Sequence, residues 1–210
     1  MKYGLALHTS SPALGLAIGS NYDDVRHRSW DLGRETSNLL HPYLRDFIDP
    51  QTWQDLGWIA VANGPGGFMG TRLGLVTART LGQQLDLPIF TVSSLAAIAW
   101  QLPHHGTIAI SMSAQRGEVF GAIYDVSREE RGLRVMLTDT VMSAGDWETR
   151  LAESQPSHHH SVPQSANLAD TVLGVLALAQ MAQAQGDHPH WAMALPFYGQ
   201  HPVVGSSIGQ

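Results

Sequence analysis

The sequence predicts an α/β fold built as two small lobes with mixed sheets. Short apolar segments separated by turn residues open the chain, which is typical of an antiparallel meander. Strands and helices then alternate up to residue 102, and a second run of strands followed by helices begins beyond Pro103. We therefore expect an N-terminal lobe over residues 1–102 and a less sharply defined C-terminal lobe over residues 103–210.

The N-terminal lobe is predicted to hold a three-stranded meander and then alternating helices and strands. Apolar residues at helical spacing indicate a helix over residues 39–48, with Thr36 or Ser37 as its N-cap and Pro50 beyond its end. The other predicted elements are strands over residues 3–9, 13–20, 25–30, 58–62 and 89–92, a helix over residues 70–84, and a helix from Ser93 or Ser94 to Trp100.

The C-terminal lobe is predicted to contain a second small sheet, with strands over residues 107–113, 118–126 and 133–140. A short helix over residues 144–152 follows. Residues 154–164, which include His158, His159 and His160, are interpreted as a polar loop, and residues 168–180 as a last amphipathic helix.

The composition excludes several classes of protein. With 210 residues, of which 43% are hydrophobic, the chain is long enough to bury a core. A net charge of -6 without a basic cluster argues against a stand-alone nucleic-acid-binding protein, and the absence of cysteine excludes thiolate metal sites. No segment has the length of a membrane helix, and the N-terminus resembles a strand more than a signal peptide, so we expect a cytoplasmic protein.

Glycines are concentrated where the strand ending near residue 62 leads into a helix. Such a turn is where α/β proteins bind ligands. The dinucleotide fingerprint would need a glycine in place of Met69, and a Walker A loop would need Gly-Lys-Ser/Thr where the chain has Gly70-Thr71-Arg72. The candidate turn consists of Asn63, Gly64, Pro65, Gly66, Gly67 and Phe68.

Small residues also recur every four positions in the following helix, at Gly70, Gly74, Ala78 and Gly82. They form one ridge of that helix. Three glycines cost a helix roughly 2 to 3 kcal/mol relative to alanine, so the ridge predicts a compensating close contact. Either the chain's own sheet or a helix of a second protein could provide this contact.

Residues 64–74 read Gly-Pro-Gly-Gly-Phe-Met-Gly-Thr-Arg-Leu-Gly. This string resembles the Gly-Pro-Gly-Ser-Phe-Thr-Gly-Leu-Arg-Ile-Gly of the TsaB (YeaZ) family of tRNA threonylcarbamoyladenosine biosynthesis proteins. Weaker similarities lie at residues 5–10, at residues 116–120, and at Pro196-Phe197-Tyr198, which is similar to a terminal Pro-x-Tyr. Beyond Thr140 the likeness is weak.

The resemblance implies a member of the actin-like, sugar-kinase and Hsp70-like (ribonuclease H-like) ATPase superfold. It further implies a non-catalytic scaffold subunit without a cofactor, which pairs with a TsaD-like paralogue and a TsaE-like ATPase and meets tRNA only through that complex. Alone, the chain is expected to form an isologous homodimer. The implied interface is formed by the two N-lobe helices, at Leu39, Leu40, Tyr43, Leu44, Phe47, Gly70, Gly74, Ala78 and Gly82.

Two departures from the pattern favour a subunit without its own nucleotide chemistry. Members of the superfold that process phosphate usually have a metal-organising Asp at the end of the first strand, where this chain has His8. The family's Asp-Ala-Arg is replaced by Ser113-Ala114-Gln115. We interpret His8 as a buried, hydrogen-bonded residue rather than a ligand.

Two alternatives from other functional classes remain open. One is a stand-alone kinase or ATPase of the same superfold with an unusual metal site, which ATP calorimetry would distinguish. The other is a homodimer that binds a small anion at the glycine turn, where helix N–H groups carry partial positive charge. Adjacent histidines, such as His104 and His105 or the triplet at residues 158–160, lack the spacing of a metal site.

Overall fold

The computed structural model describes residues 2–199 except residues 22, 128, 130, 131, 164 and 198. Tyr198, the last residue of the Pro-x-Tyr similarity, therefore lies outside the described residues, as do Gln164 and residues 200–210. No helix in the described part of the chain is long and apolar enough to cross a lipid bilayer.

The first sheet confirms the predicted meander and its continuation. It has the order β3-β2-β1-β4-β5, in which β2 is antiparallel to both β1 and β3, and β4 is parallel to both β1 and β5. Its strands are β1 (Tyr3–Ser11), β2 (Ala13–Gly19), β3 (Val25–Asp31), β4 (Leu56–Ala62) and β5 (Ile89–Val92).

Helices cover both faces of the first sheet. Leu5 and Leu7 of β1 pack into a core with α1 (Thr36–Ile48) and α2 (Phe68–Leu85), whereas Ala6 packs into a core with α5 (Val172–Ala184) on the other face. Successive residues of a strand point to opposite faces, so a strand buried on both sides is apolar throughout. The division of the chain at residue 102 stays a prediction, since α5 packs against the first sheet.

The second sheet has the order β8-β7-β6-β9. Its strands are β6 (Gly106–Ser113), β7 (Glu118–Ser127), β8 (Gly132–Ser143) and β9 (His158–Val162). One face packs against α3 (Ser94–Gln101), whose Ser93 N-cap accepts hydrogen bonds from the N–H groups of Leu95 and Ala96. The other face packs against Trp147 of α4 (Ala144–Ser154).

Two local predictions are wrong. The predicted loop over residues 154–164 contains strand β9, which is parallel to β6. Its His-His-His-Ser sequence lacks the apolar alternation that identifies a strand, because β9 lies at the edge of the sheet and is half exposed. Helix α1 begins at Thr36 without a side-chain cap, and the Thr36 hydroxyl instead donates to the Gly33 carbonyl.

Candidate functional site

The glycine turn is held against the end of β1. The Gly67 N–H donates to the Ser10 carbonyl at 2.7 Å, and a Cβ atom at Gly66 would lie 2.5 Å from that same oxygen. Gly64 has a φ of +101°, which favours glycine, and the Asn63 carbonyl accepts a 2.8 Å hydrogen bond from Phe197 N–H. The turn is thus packed between Ser10 and the C-terminal segment, with the Gly67 donor already used.

The small-residue ridge of α2 faces the chain's own sheet. A Cβ atom at Gly70 would meet the Thr9 carbonyl, and one at Gly74 would meet the Thr9 hydroxyl. A Cβ at Gly82 would lie 2.6 Å from Ile89 Cδ1, and Ala78 is fully buried. The expectation that this ridge forms a partner interface is wrong, because β1 and β5 occupy the space that the missing side chains leave.

Most of the α1 residues expected at an interface also point inward. Leu40, Leu44 and Phe47 belong to the core between α1, α2 and the first sheet. Tyr43 is half-buried with its ring centroid 5.0 Å from that of Trp30, and Leu39 is half-buried. Because the stripe is filled by the monomer's own core, only its edge is accessible to another molecule.

The accessible apolar surface lies on the opposite side of α2 from the glycine ridge. Met69 is 75% exposed and Val76 is 61% exposed, and with half-buried Leu73 they follow one another at helical spacing of four and three residues. We call Met69, Leu73 and Val76 the outer face of α2. This second apolar stripe is visible in the sequence, but the interface was predicted on the opposite face of α2, at the glycine ridge.

A groove of about 490 Å³ runs between α1 and α2 beside the outer face. Its floor and walls are mainly apolar and include Pro42, Trp53, Leu73 and Leu81, while Arg45 stands at its edge. The two helices therefore present a concave, mainly apolar surface, and none of the described residues that line it belongs to the glycine ridge. Such a surface is typical of a protein-binding site rather than of a phosphate site.

His8 is fully buried, as expected. Its Nδ1 atom accepts a 3.3 Å hydrogen bond from the Ser10 N–H, and its Nε2 atom has no hydrogen-bond partner. Burial lowers the pKa of His8 from 6.5 to about 3, so the imidazole is neutral at physiological pH. A neutral, enclosed imidazole does not supply the anionic oxygen with which Mg²⁺ is usually held.

Two of the other histidines considered as metal ligands, His158 and His159, contact an aromatic ring and a hydroxyl group. The rings of His104 and His158 stack with centroids 3.7 Å apart, and His159 Nε2 lies 2.9 Å from the Ser111 hydroxyl. Among the described residues, no group of three or more His, Cys, Asp or Glu side chains could hold a metal ion. Ser113 and Gln115 are exposed around the turn that joins β6 to β7.

Comparisons with known proteins agree with the sequence resemblance. A model of the TsaD family, described as tRNA N6-adenosine threonylcarbamoyltransferase, matches residues 44–185, which is more than half of the chain. The tRNA threonylcarbamoyladenosine biosynthesis protein TsaB of Bacillus subtilis is 32% identical over 152 residues, covering 71% of this chain and 66% of that protein. TsaB of Escherichia coli is 28% identical over 135 residues, covering 61% of this chain and 57% of that protein. The chain thus spans about three-fifths of the length of these curated relatives.

Solved structures support the fold. YeaZ from Pseudomonas aeruginosa aligns with a TM-score of 0.72 and 23% identity, over 94% of this chain and 100% of that one. The α/β architecture with two mixed sheets agrees with the predicted fold class, and the alignment shows that the chain has the fold of YeaZ. Sequence, family model and fold agree, and the chain belongs to the TsaB (YeaZ) family.

Proposed function

We propose that this chain is a non-catalytic subunit of a complex that forms tRNA threonylcarbamoyladenosine, in which it binds and supports a TsaD-like transferase. A TsaE-like ATPase is the further partner, and tRNA meets the chain only through the complex. The names of the relatives place those proteins in this biosynthesis, and the net charge of -6 disfavours independent binding of tRNA by this chain.

The proposal that the chain is non-catalytic rests on the surroundings of His8. In members of the superfold that process phosphate, the corresponding position usually carries an Asp that organises a metal ion. Here the imidazole is enclosed by the fold, neutral, and held by the Ser10 N–H. Calorimetry with ATP tests this point, because a kinase or ATPase should bind the nucleotide at micromolar to millimolar concentration while the proposed scaffold should show little heat.

The observation that carries the proposal is the outer face of α2 together with the groove beside it. Exposed apolar side chains are unremarkable singly, but Met69 and Val76 project from one helix face beside an apolar groove. Covering a side chain of this size with a partner contributes roughly 1 to 2 kcal/mol. We propose that a helix of the TsaD-like partner packs here, and that a second copy of the chain occupies the same surface when the partner is absent.

A charge placed on this face tests the proposal. Val76→Glu should weaken binding to a TsaD-like partner by at least about tenfold, because the complex must then bury a carboxylate among apolar groups. Met136→Glu is the matched control, since Met136 is also exposed, at 55%, but lies on β8 of the second sheet. Titration calorimetry gives the dissociation constants, and circular dichroism checks that both variants fold.

Two results would contradict the proposal. One is an unchanged dissociation constant for Val76→Glu, which would place the partner elsewhere. The other is an equal loss of binding in Met136→Glu, which would show a general effect of charge.

A further inference from the structure

A second cavity, of about 550 Å³, lies away from the α1–α2 groove. It opens between β5 of the first sheet and strands β7 and β8 of the second, and α5 closes another side. Phe90, Leu133 and Leu178 give it apolar walls. Its volume is within the range of sites that enclose small organic molecules.

Three polar side chains form a hydrogen-bonded chain in this cavity. The Tyr124 hydroxyl donates to Asp139 Oδ1 at 2.8 Å, and Ser93 Oγ lies 3.3 Å from the Tyr124 hydroxyl. Ser93 Oγ accepts hydrogen bonds from the N–H groups of Leu95 and Ala96 at the start of α3, so the hydroxyl hydrogen of Ser93 is available for a hydrogen bond to Tyr124. The chain therefore runs from Ser93 through Tyr124, which is almost fully buried, and ends at the Asp139 carboxyl group.

No counter-ion for Asp139 is found among the described residues that line the cavity. Among the described residues that line the cavity, none is a lysine, arginine or histidine. Burial, as the largest effect, raises the pKa of Asp139 above its ordinary value, although hydrogen bonding to the carboxylate, including that from Tyr124, opposes this. A structural hydrogen bond to Tyr124 would be satisfied by an uncharged amide as well, without the cost of placing a carboxylate among apolar walls.

The geometry points to a binding site for a protonated organic amine with an apolar body, whose ammonium group pairs with the Asp139 carboxylate while its apolar part lies against the cavity walls. An anionic ligand is disfavoured, because the cavity offers a carboxylate and no cation among the described residues. A neutral apolar ligand would leave the carboxylate unpaired. This inference does not depend on the proposed function, since the cavity shares no lining residue with the α1–α2 groove.

Three probes of matched shape and different charge test the inference on the full chain. Phenethylamine, 2-phenylethanol and phenylacetate carry a positive, a neutral and a negative end group on the same ring. By NMR titration at neutral pH, phenethylamine should bind at least about tenfold more tightly than the alcohol, with its shift changes at Tyr124 and its neighbours. Phenylacetate should bind more weakly than both.

Variants separate a binding site from a merely structural network. Asp139→Asn keeps the shape and should lower the affinity for phenethylamine about tenfold, while the affinity for 2-phenylethanol stays the same. Asp46→Asn is the matched control, because it removes the same charge from an exposed position on α1. Ala182→Trp places a large side chain in the cavity from α5 while Ser93, Tyr124 and Asp139 themselves stay unchanged, and it should abolish binding of both probes.

Equal affinity for the amine and the alcohol, preference for phenylacetate, or no binding of phenethylamine at millimolar concentration would each overturn the inference. An equal loss in Asp46→Asn would also overturn it, because attraction would then come from the overall charge. If Asp139→Asn does not fold, the ranking of the three probes on the native chain and on Ala182→Trp still decides the matter.

Discussion

Replacing Gly74 by alanine tests whether the small-residue ridge of α2 is an internal contact. A Cβ atom at this position would meet the hydroxyl oxygen of Thr9 and would lie 3.5 Å from Val61 Cγ2. The Thr9 hydroxyl has little room to move, because it donates a 2.7 Å hydrogen bond to the Gly70 carbonyl one turn earlier in α2. An added methyl group therefore crowds the contact between the helix and β1 and also displaces the hydroxyl from this hydrogen bond.

The expected loss of stability is the balance of three effects. Alanine in a helix interior is favoured over glycine by about 1 kcal/mol. Overpacking a tight contact costs about 1 to 3 kcal/mol, and losing the Thr9 hydrogen bond costs about 0.5 to 1.5 kcal/mol. The clash and the broken hydrogen bond outweigh the helix propensity, so we expect Gly74→Ala to lower the free energy of unfolding by about 2 kcal/mol.

Urea denaturation followed by circular dichroism measures this change. Gly145→Ala in α4 is the matched control, because the nearest atom to its added Cβ would be Ser143 Oγ at 3.9 Å, and this variant should be as stable as the native chain or more stable. In a Thr9→Ala background the cost of Gly74→Ala should largely disappear, since the obstructing hydroxyl is gone. A Gly74→Ala chain of native stability that no longer associates with its partner would refute the reasoning, because the ridge would then face another molecule.

Three further changes have outcomes that follow from the structure. Burial lowers the pKa of His8 to about 3, so as the pH falls the unfolded chain binds a proton at His8 before the folded chain does. The contribution of His8 to stability should therefore be constant above pH 6.5 and fall by up to about 1.4 kcal/mol per pH unit between pH 6.5 and about 3. His8→Asn should lose this part of the slope in urea titrations at stepped pH. Asp139→Asn should raise the free energy of unfolding at pH 7, because burial raises the pKa of this carboxyl group and so disfavours its ionised form in the folded state. This gain should vanish below pH 3.8, where the carboxyl group is protonated in both the folded and the unfolded state. Gly64→Ala should lower the free energy of unfolding by roughly 1 to 3 kcal/mol, because φ at Gly64 is +101° and the new Cβ would lie 2.8 Å from the Phe197 carbonyl oxygen. Gly67→Ala should be tolerated, because φ at Gly67 is -62° and the nearest atom to its new Cβ would be 3.4 Å away.

The order of elements in the first sheet was predictable because its signals are local. The strands around Leu5 and Ile59 are apolar runs buried on both faces, and turn residues separate them. Strand β9 was not predictable in this way. Three successive histidines form an edge strand only because β6 offers a free edge, and that edge exists only in the assembled sheet.

The direction in which a helix faces was the main thing that could not be predicted. The glycine ridge correctly indicated a close contact, but both a sheet and a second protein satisfy that pattern, and only the position of Thr9 decides between them. The carboxyl group in the second cavity was missed for a similar reason. Ser93, Tyr124 and Asp139 lie far apart in sequence, on three different elements, and no local pattern connects them.

Reconstitution of tRNA modification tests the central claim most directly. A TsaD-like transferase and a TsaE-like ATPase are supplied with tRNA and the threonylcarbamoyl donor, with the native chain, with Val76→Glu or with no third protein, and the modified nucleoside is quantified by mass spectrometry. We expect modification with the native chain, little with Val76→Glu at equal concentration, and none from the chain alone. Full modification without the chain, or turnover by the chain alone, would contradict its role as a binding subunit that supports another enzyme.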